Sequence, residues 1–239
     1  MSGHSKWATT KRKKWAADAK RSSLFTKLAN AITIAARGGD DLGLNFQLRI
    51  AVDKAKAASM PKENIDRAIK RGSGELGGAV IEEIIYEGYG PGGAAILIKC
   101  LTDNRLRTVS GIRAVFNRTG GSLAEAGSVA YLFEKKGQIV ISLTDNSLIA
   151  EQLEEKIIES GADDFEEEDE DIIVYTQLNQ LQVVTKFLED ANIKISSSEI
   201  AYLPKSTAPI SEDKQELLNK LLEALDDLDD VSEIYTNTC

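Results

Sequence analysis

Apolar residues in the first third of the chain recur at helical spacing. Leu24, Phe25, Leu28, Ile32, Ala35 and Ala36 form one stripe after Ser22-Ser23, and Gly38-Gly39 stop it. A second stripe follows Asn45: Leu48, Val52 and Ala55 turn inward, while Arg49, Lys54 and Lys56 fall largely elsewhere. A third starts at Pro61, a favoured first helical position, carries Ile65, Ala68 and Ile69, and ends at Gly72. The pattern predicts three short amphipathic helices sharing one small core, with Lys and Arg on the faces between. "GSGELGG" (72–78) then reads as a flexible linker or hinge.

Beyond the linker the period changes. "IEEIIYEGY" and "AAILIKCL" read as strands joined through "GPGG", a loop with turn chemistry. A helix is predicted over 105–118 and a strand over 129–134. A second pattern follows: "QIVISL" as a strand, 147–160 as a helix, "DFEEE" and "IIVYT" as a hairpin, 178–191 as a helix, "IKISSSEIAYL" as a strand. This βαββαβ order is that of a ferredoxin-like domain. The tail adds a helix at 211–228 and a strand at 231–236. "LTDN" occurs at 101–104 and again at 143–146, each time between a strand and a helix, where Thr or Asp oxygens suit helix capping. The strand–helix–strand unit at 94–134 lacks a closing helix and strand, which the tail can supply. The predicted class is therefore α+β: a helical N-terminal domain followed by two ferredoxin-like domains, one inserted in the other. The expected boundaries are 1–78 for the basic helical domain with its arm and linker, 79–136 with 204–239 for a discontinuous middle domain, and 137–203 for an acidic insertion.

Charge changes the picture more than composition does. The 239 residues carry a formal net charge of -9. Residues 1–72 hold +10 of charge and the remainder −19. A cationic module attracts polyanions, and an anionic body repels them outside the intended contact. No apolar run approaches the ~18 residues of a membrane span. The acid-free start is shared with organelle transit peptides, but it uses mainly Lys, and its large apolar residues besides Met1 are two Trp. A cytoplasmic protein is expected. Cys100 and Cys239 supply neither a disulfide framework nor a four-ligand zinc site, and Cys100 reads as a packing residue. The single histidine, His4, leaves no Ser-His-Asp or Cys-His mechanism to build. No metal or cofactor is expected.

Candidate contacts follow from the charge. Lys6, Lys13, Lys20 and Lys27 repeat every seven residues, with Lys11, Arg12, Lys14 and Arg21 beside them, and Arg49, Lys54, Lys56, Lys70 and Arg71 extend the basic set. Such a stripe can follow a phosphate backbone. Trp7 and Trp15 offer flat faces for unpaired bases or for anchoring the arm to protein. "TKRKK" also has the composition of a nuclear localisation signal. "YEGYGPGG" (86–93) is no Walker loop. A hairpin turn explains its glycines, and close approach of RNA or protein beside Tyr86 and Tyr89 is the functional alternative. Arg105, Arg107, Arg113 and Arg118 lie on or near one helix, as a secondary phosphate surface or as a solvated face with internal ion pairs. Tyr89, Arg105 and Arg107 are the secondary contacts carried forward. The acidic run at 163–171 reads as a hairpin rim that avoids nucleic acid or meets a basic protein.

Several long stretches carry a family resemblance. "GHSKWA", "LRIAVDKAKAASMPKENIDRAIKRG", "YEGYGPGGAA", "CLTDNRLRTVSGIRAVFNRTGG" and "GSVAYLFEKKG" resemble the YebC family in order and across essentially the whole chain. The resemblance implies a helical N-terminal domain plus two α+β domains, and no catalytic residues. It implies, first, a DNA-binding transcriptional regulator, with DNA or RNA as partner, and no membrane or small-molecule substrate. The alternative it implies is a translation factor bound to RNA or the ribosome, relieving stalling or activating translation. A metal-dependent nuclease using Asp40, Asp41, Asp53 and Asp103 is a third reading, from the residues alone. Thr9-Thr10 and Arg12-Lys13-Lys14-Trp15 replace a more usual "NIKHRKAA", and Ser59 stands where Asn is common. These changes keep the positive charge.

Overall fold

The computed structural model describes residues 18–146 and 149–238. They form two compact units. One comprises the chain up to Glu134 together with the segment from Leu203 onward, and the other comprises Lys135–Tyr202.

The first unit begins with three helices, α1 (Asp18–Ala35), α2 (Phe46–Ala57) and α3 (Lys62–Gly72), with a 3₁₀ turn at Ala36–Gly38. Leu28, Ile32, Leu48, Val52, Ile65 and Ala68 close their shared core. Asn45 joins two of them. Its Oδ1 caps α2 by accepting from the Leu48 N–H at 3.0 Å, and its Nδ2 donates to the Ala35 carbonyl at 2.8 Å. Gly72, read from sequence both as the end of the third helix and as the first residue of the linker, is the last residue of α3. A Cβ there would lie 2.4 Å from the Thr33 carbonyl oxygen and 2.6 Å from the Ala36 Cβ. The close approach of α3 to α1 therefore needs a glycine. Gly72→Ala is expected to cost about 1–3 kcal/mol in urea unfolding, because backbone on one side and core on the other cannot both give way. Ser59 has a positive φ of 60°. Asn tolerates that left-handed backbone better than Ser. Ser59→Asn should stabilise by about 0.5 kcal/mol in the same assay.

The sheet of this unit has strands β1 (Glu82–Tyr89), β2 (Ala95–Thr102), β3 (Ser122–Ala124) and the C-terminal β8 (Val231–Thr236), in the order β3-β1-β2-β8 with all neighbours antiparallel. Helix α4 (Arg105–Thr119), between β2 and β3, and α7 (Glu212–Asp226), before β8, supply the apolar cover. Ile112 and Phe116 of the first and Leu218, Leu221 and Leu225 of the second pack with Ile96, Ile98 and Ile234. The "GPGG" loop packs here as well: a Cβ on Gly90 would lie 2.9 Å from Leu218 and Ile96 methyl carbons. Three side chains of the helical module reach this part of the unit. Lys27 bonds the Asp226 carbonyl and carboxylate, Asn30 the Leu101 carbonyl, and Arg37 the Ile81 carbonyl.

The expected strand at 129–134 starts only at Phe133. Ala130–Leu132 is a 3₁₀ turn, and a single strand, β4 (Phe133–Ser142), starts after it and absorbs "QIVIS". The reason is hydrogen bonding. The N–H groups of Val129 and Ala130 are taken by the Glu87 carboxylate rather than by a neighbouring strand.

The second unit contains most of β4, then α5 (Ala150–Glu159), β5 (Asp164–Glu168), β6 (Asp171–Thr176), α6 (Leu181–Asp190) and most of β7 (Ile195–Pro204). The βαββαβ order and the sheet order β5-β6-β4-β7 are those of a ferredoxin-like fold. Ile139, Ile141, Leu153, Ile157, Ile172, Val174 and Leu188 are buried in it.

The two "LTDN" copies do different work. In the first, Asn104 is the cap: its Oδ1 accepts from the Arg107 N–H at 3.0 Å, and Thr102 Oγ1 accepts from the Asn104 N–H. In the second, Asn146 exchanges hydrogen bonds with the Lys194 backbone. Neither Thr nor Asp supplies the helix cap expected of it, because Asn carries a donor and an acceptor and can serve two segments at once.

Candidate nucleic-acid interface

The described basic residues divide into an outward set and a committed set. Arg21 on α1, Lys54 and Lys56 on α2, and Lys70 on α3 are exposed. Lys56 forms an exposed ion pair with Asp53 at 3.0 Å, which contributes little in water. Arg49 lies over the Phe46 ring at 5.4 Å. Arg71, half-buried, donates to the Ala79 carbonyl at 3.1 Å. Lys62 and Arg67 on α3 are exposed too, and sequence reasoning passed over them. For Arg67 its place on the polar side of the "NIDRAIK" period was the available signal; Lys62 had only its place in the first turn.

Other predicted contacts are engaged within the protein. Lys27 is only 11% exposed and ion-paired with Asp226 at 3.0 Å, so the seven-residue repeat of Lys does not stay on an open face. Arg105 pairs with Glu82. Arg107 pairs with Asp230 at 2.9 Å and with Asp103 at 3.1 Å. The Tyr89 hydroxyl donates to the Ser128 carbonyl at 2.9 Å. Lys6, Trp7, Lys11, Arg12, Lys13, Lys14 and Trp15 lie outside the described residues, as does the side chain of Lys20.

The carboxylates of the nuclease reading stand in separate roles. Asp41 accepts from the Gly43 N–H at 2.7 Å in an exposed loop that also holds Asp40, Asp53 faces Lys56, and Asp103 faces Arg107. Among the described residues no group of three or more His, Cys, Asp or Glu is placed to hold a metal ion. Cys100 is buried, and burial, helped by Asp230, pushes its thiol up to about 12. Among the described residues no helix is long and apolar enough to cross a membrane.

Two features were not read from sequence. Glu87 is a buried carboxylate on β1, taking backbone N–H bonds from Gly127 at 2.6 Å, Val129 at 2.7 Å and Ala130 at 2.9 Å. Burial opposes its charge, but these donors outweigh burial and hold the carboxyl below its ordinary range. The other is a cleft of about 550 Å³ where the middle of α1 and the end of α3 meet α4 and the 228–230 segment. Arg71, Asp103, Arg107, Gly111, Asp229 and Asp230 line it. No single motif signalled it, since its walls come from five separate stretches of chain.

Comparison with known proteins fits this architecture. Residues 5–75 match the TACO1/YebC protein N-terminal domain, and residues 81–238 match the TACO1/YebC second and third domain. A protein of Trichlorobacter lovleyi is 49% identical over 99% of this chain and 95% of its own, and one of Pelotomaculum thermopropionicum is 49% identical over 99% and 98%. Both are named probable transcriptional regulatory proteins. The crystal structure of a conserved hypothetical protein from Aquifex aeolicus superposes with a TM-score of 0.90 at 45% identity, covering 98% of this chain and 97% of that one. With both family models matched in order and relatives near half identity over almost the full length, the chain belongs to the TACO1/YebC family.

Proposed function

We propose that this protein is a non-catalytic regulator that binds nucleic acid through its N-terminal module, as a DNA-bound transcriptional regulator in the cytoplasm. One observation carries the reading: +10 of charge is gathered in residues 1–72 of a chain whose remainder is −19. Exposed Arg21, Lys54, Lys62, Arg67 and Lys70 give that module a multivalent phosphate-binding surface, and the acidic second unit keeps the strand from lying elsewhere. The names of the relatives support the regulatory part of the reading.

A second reading has its own observation. Both tryptophans of the chain, Trp7 and Trp15, lie in the basic arm, and aromatic faces suit unpaired bases better than a closed duplex. This favours RNA, and with it a role on messenger RNA or the ribosome. Cross-linking in cells followed by sequencing of the bound nucleic acid separates the two. Enrichment of promoter DNA is the expected result. Dominant recovery of ribosomal RNA or tRNA would reject the transcriptional role and leave the translational one.

A further inference from the structure

We infer that the cleft beside α4 receives one unpaired nucleotide of a bound strand, its base stacked on Arg107 and its phosphate at Arg71; this rests on the nucleic-acid reading above. The volume, about 550 Å³, is that of a small-ligand site. Arg107 is both open and immobilised. Two carboxylates, Asp230 at 2.9 Å and Asp103 at 3.1 Å, fix its guanidinium, yet its side chain is 57% exposed. Those partners compensate its charge, which makes it a weak phosphate contact. They also hold it as a rigid plane, and an unstacked base lies well on such a plane.

Gly111 points the same way. It lies one helical turn after Arg107, inside α4, and lines the cleft. Nothing local requires glycine there. It is absent from the positive-φ positions, and a Cβ would meet only Leu228 methyl carbons at 3.8 Å, an ordinary contact. Glycine inside a helix is unfavourable relative to alanine. The missing Cβ leaves bare backbone on the cleft wall beside the guanidinium, where a flat ring needs room.

The remaining lining selects the ring. Arg71 spends one N–H on the Ala79 carbonyl, and its guanidinium has further donors for a phosphate oxygen. Asp229, exposed and in the same cleft, presents two acceptor oxygens. Guanine matches them with its ring N1–H and its 2-amino group. Adenine offers only an exocyclic amine and uracil only a ring N–H, so guanine is the expected base.

The test uses the full chain and fluorescence anisotropy with labelled RNA: hexauridylate, the same strand with one central guanosine or adenosine, and an RNA duplex. The guanosine strand is expected to bind about tenfold tighter than the other two single strands. Gly111→Ala should raise the melting temperature by about 2–4 °C while weakening the guanosine strand about tenfold and leaving the duplex unchanged. Asp229→Asn should abolish the preference for guanosine without lowering hexauridylate binding. A Gly111→Ala protein that binds the guanosine strand like the parent, or a parent with no base preference, overturns the pocket while the nucleic-acid reading stands. A parent that retains neither these RNAs nor a DNA duplex removes both.

Discussion

Replacing Lys11, Arg12, Lys13 and Lys14 together by Ala is expected to lower affinity about 10²–10³-fold at 0.1 M salt and to flatten its salt dependence. Each neutralised phosphate releases close to one counterion, so a contact of about six phosphates gives a slope of log affinity against log salt near −4 to −5. Removing up to four of those contacts should bring the slope to about −1 to −2. Filter binding or anisotropy from 50 to 300 mM salt measures it. An unchanged slope would take this cluster out of the interface. Lys27→Ala is the control. Its ammonium is ion-paired with Asp226 and largely buried, so the change should cost stability and leave the slope as it was. Trp7→Ala separates stacking from charge. It should weaken single-stranded RNA more than duplex DNA, because a closed duplex offers no base face to the ring.

What the sequence carried legibly was whatever depends on local period. The strand Val231–Thr236 and the helix Glu212–Asp226 follow from apolar spacing, and the hairpin of β5 and β6 from two β-rich runs around an acidic turn. The α+β class and the ferredoxin-like order of the second unit follow from the same signal. Where a distant partner decides, the reading failed. Residues 129–132 look like the start of a strand, but a carboxylate more than 40 residues earlier takes the N–H groups of Val129 and Ala130. Gly72 reads as a helix end, but its need to be glycine is not visible until Thr33 is found against it. β3 is three residues long and carries too little pattern to detect.

The candidate site divides along the same line. Net charge is additive and can be counted from sequence, so the basic module was legible as a whole. Whether a given cation faces solvent is a tertiary matter. Lys27, Arg105 and Arg107 look like Lys70 in the sequence, yet each has a carboxylate beside it. Asp230, which organises Arg107 and Thr108, lies 123 positions from the first of them. No local window contains that pair.

Glu87→Ala is expected to cost about 3–5 kcal/mol in urea unfolding at pH 7, the largest stability effect of a single substitution here. Three backbone N–H groups, of Gly127, Val129 and Ala130, point at its carboxylate, and alanine leaves them without an acceptor. Glu87→Gln should fall between, because one oxygen still accepts while the amide NH₂ faces donors. The pH dependence has a definite sign. The carboxyl titrates below its ordinary value of 4.5 in the folded protein, so the unfolded chain binds the proton first as pH falls. The charged form therefore stabilises fully above about pH 5, and that stability is lost as pH drops through the lowered folded value. Glutamine does not titrate. The difference in stability between the parent and Glu87→Gln should be constant from pH 7 to about 5 and shrink below 4.5, whatever other carboxylates do in both proteins. A difference that held steady down to pH 3 would mean that Glu87 titrates alike in the folded and unfolded chain, and that the 127–130 N–H groups do not stabilise its charge.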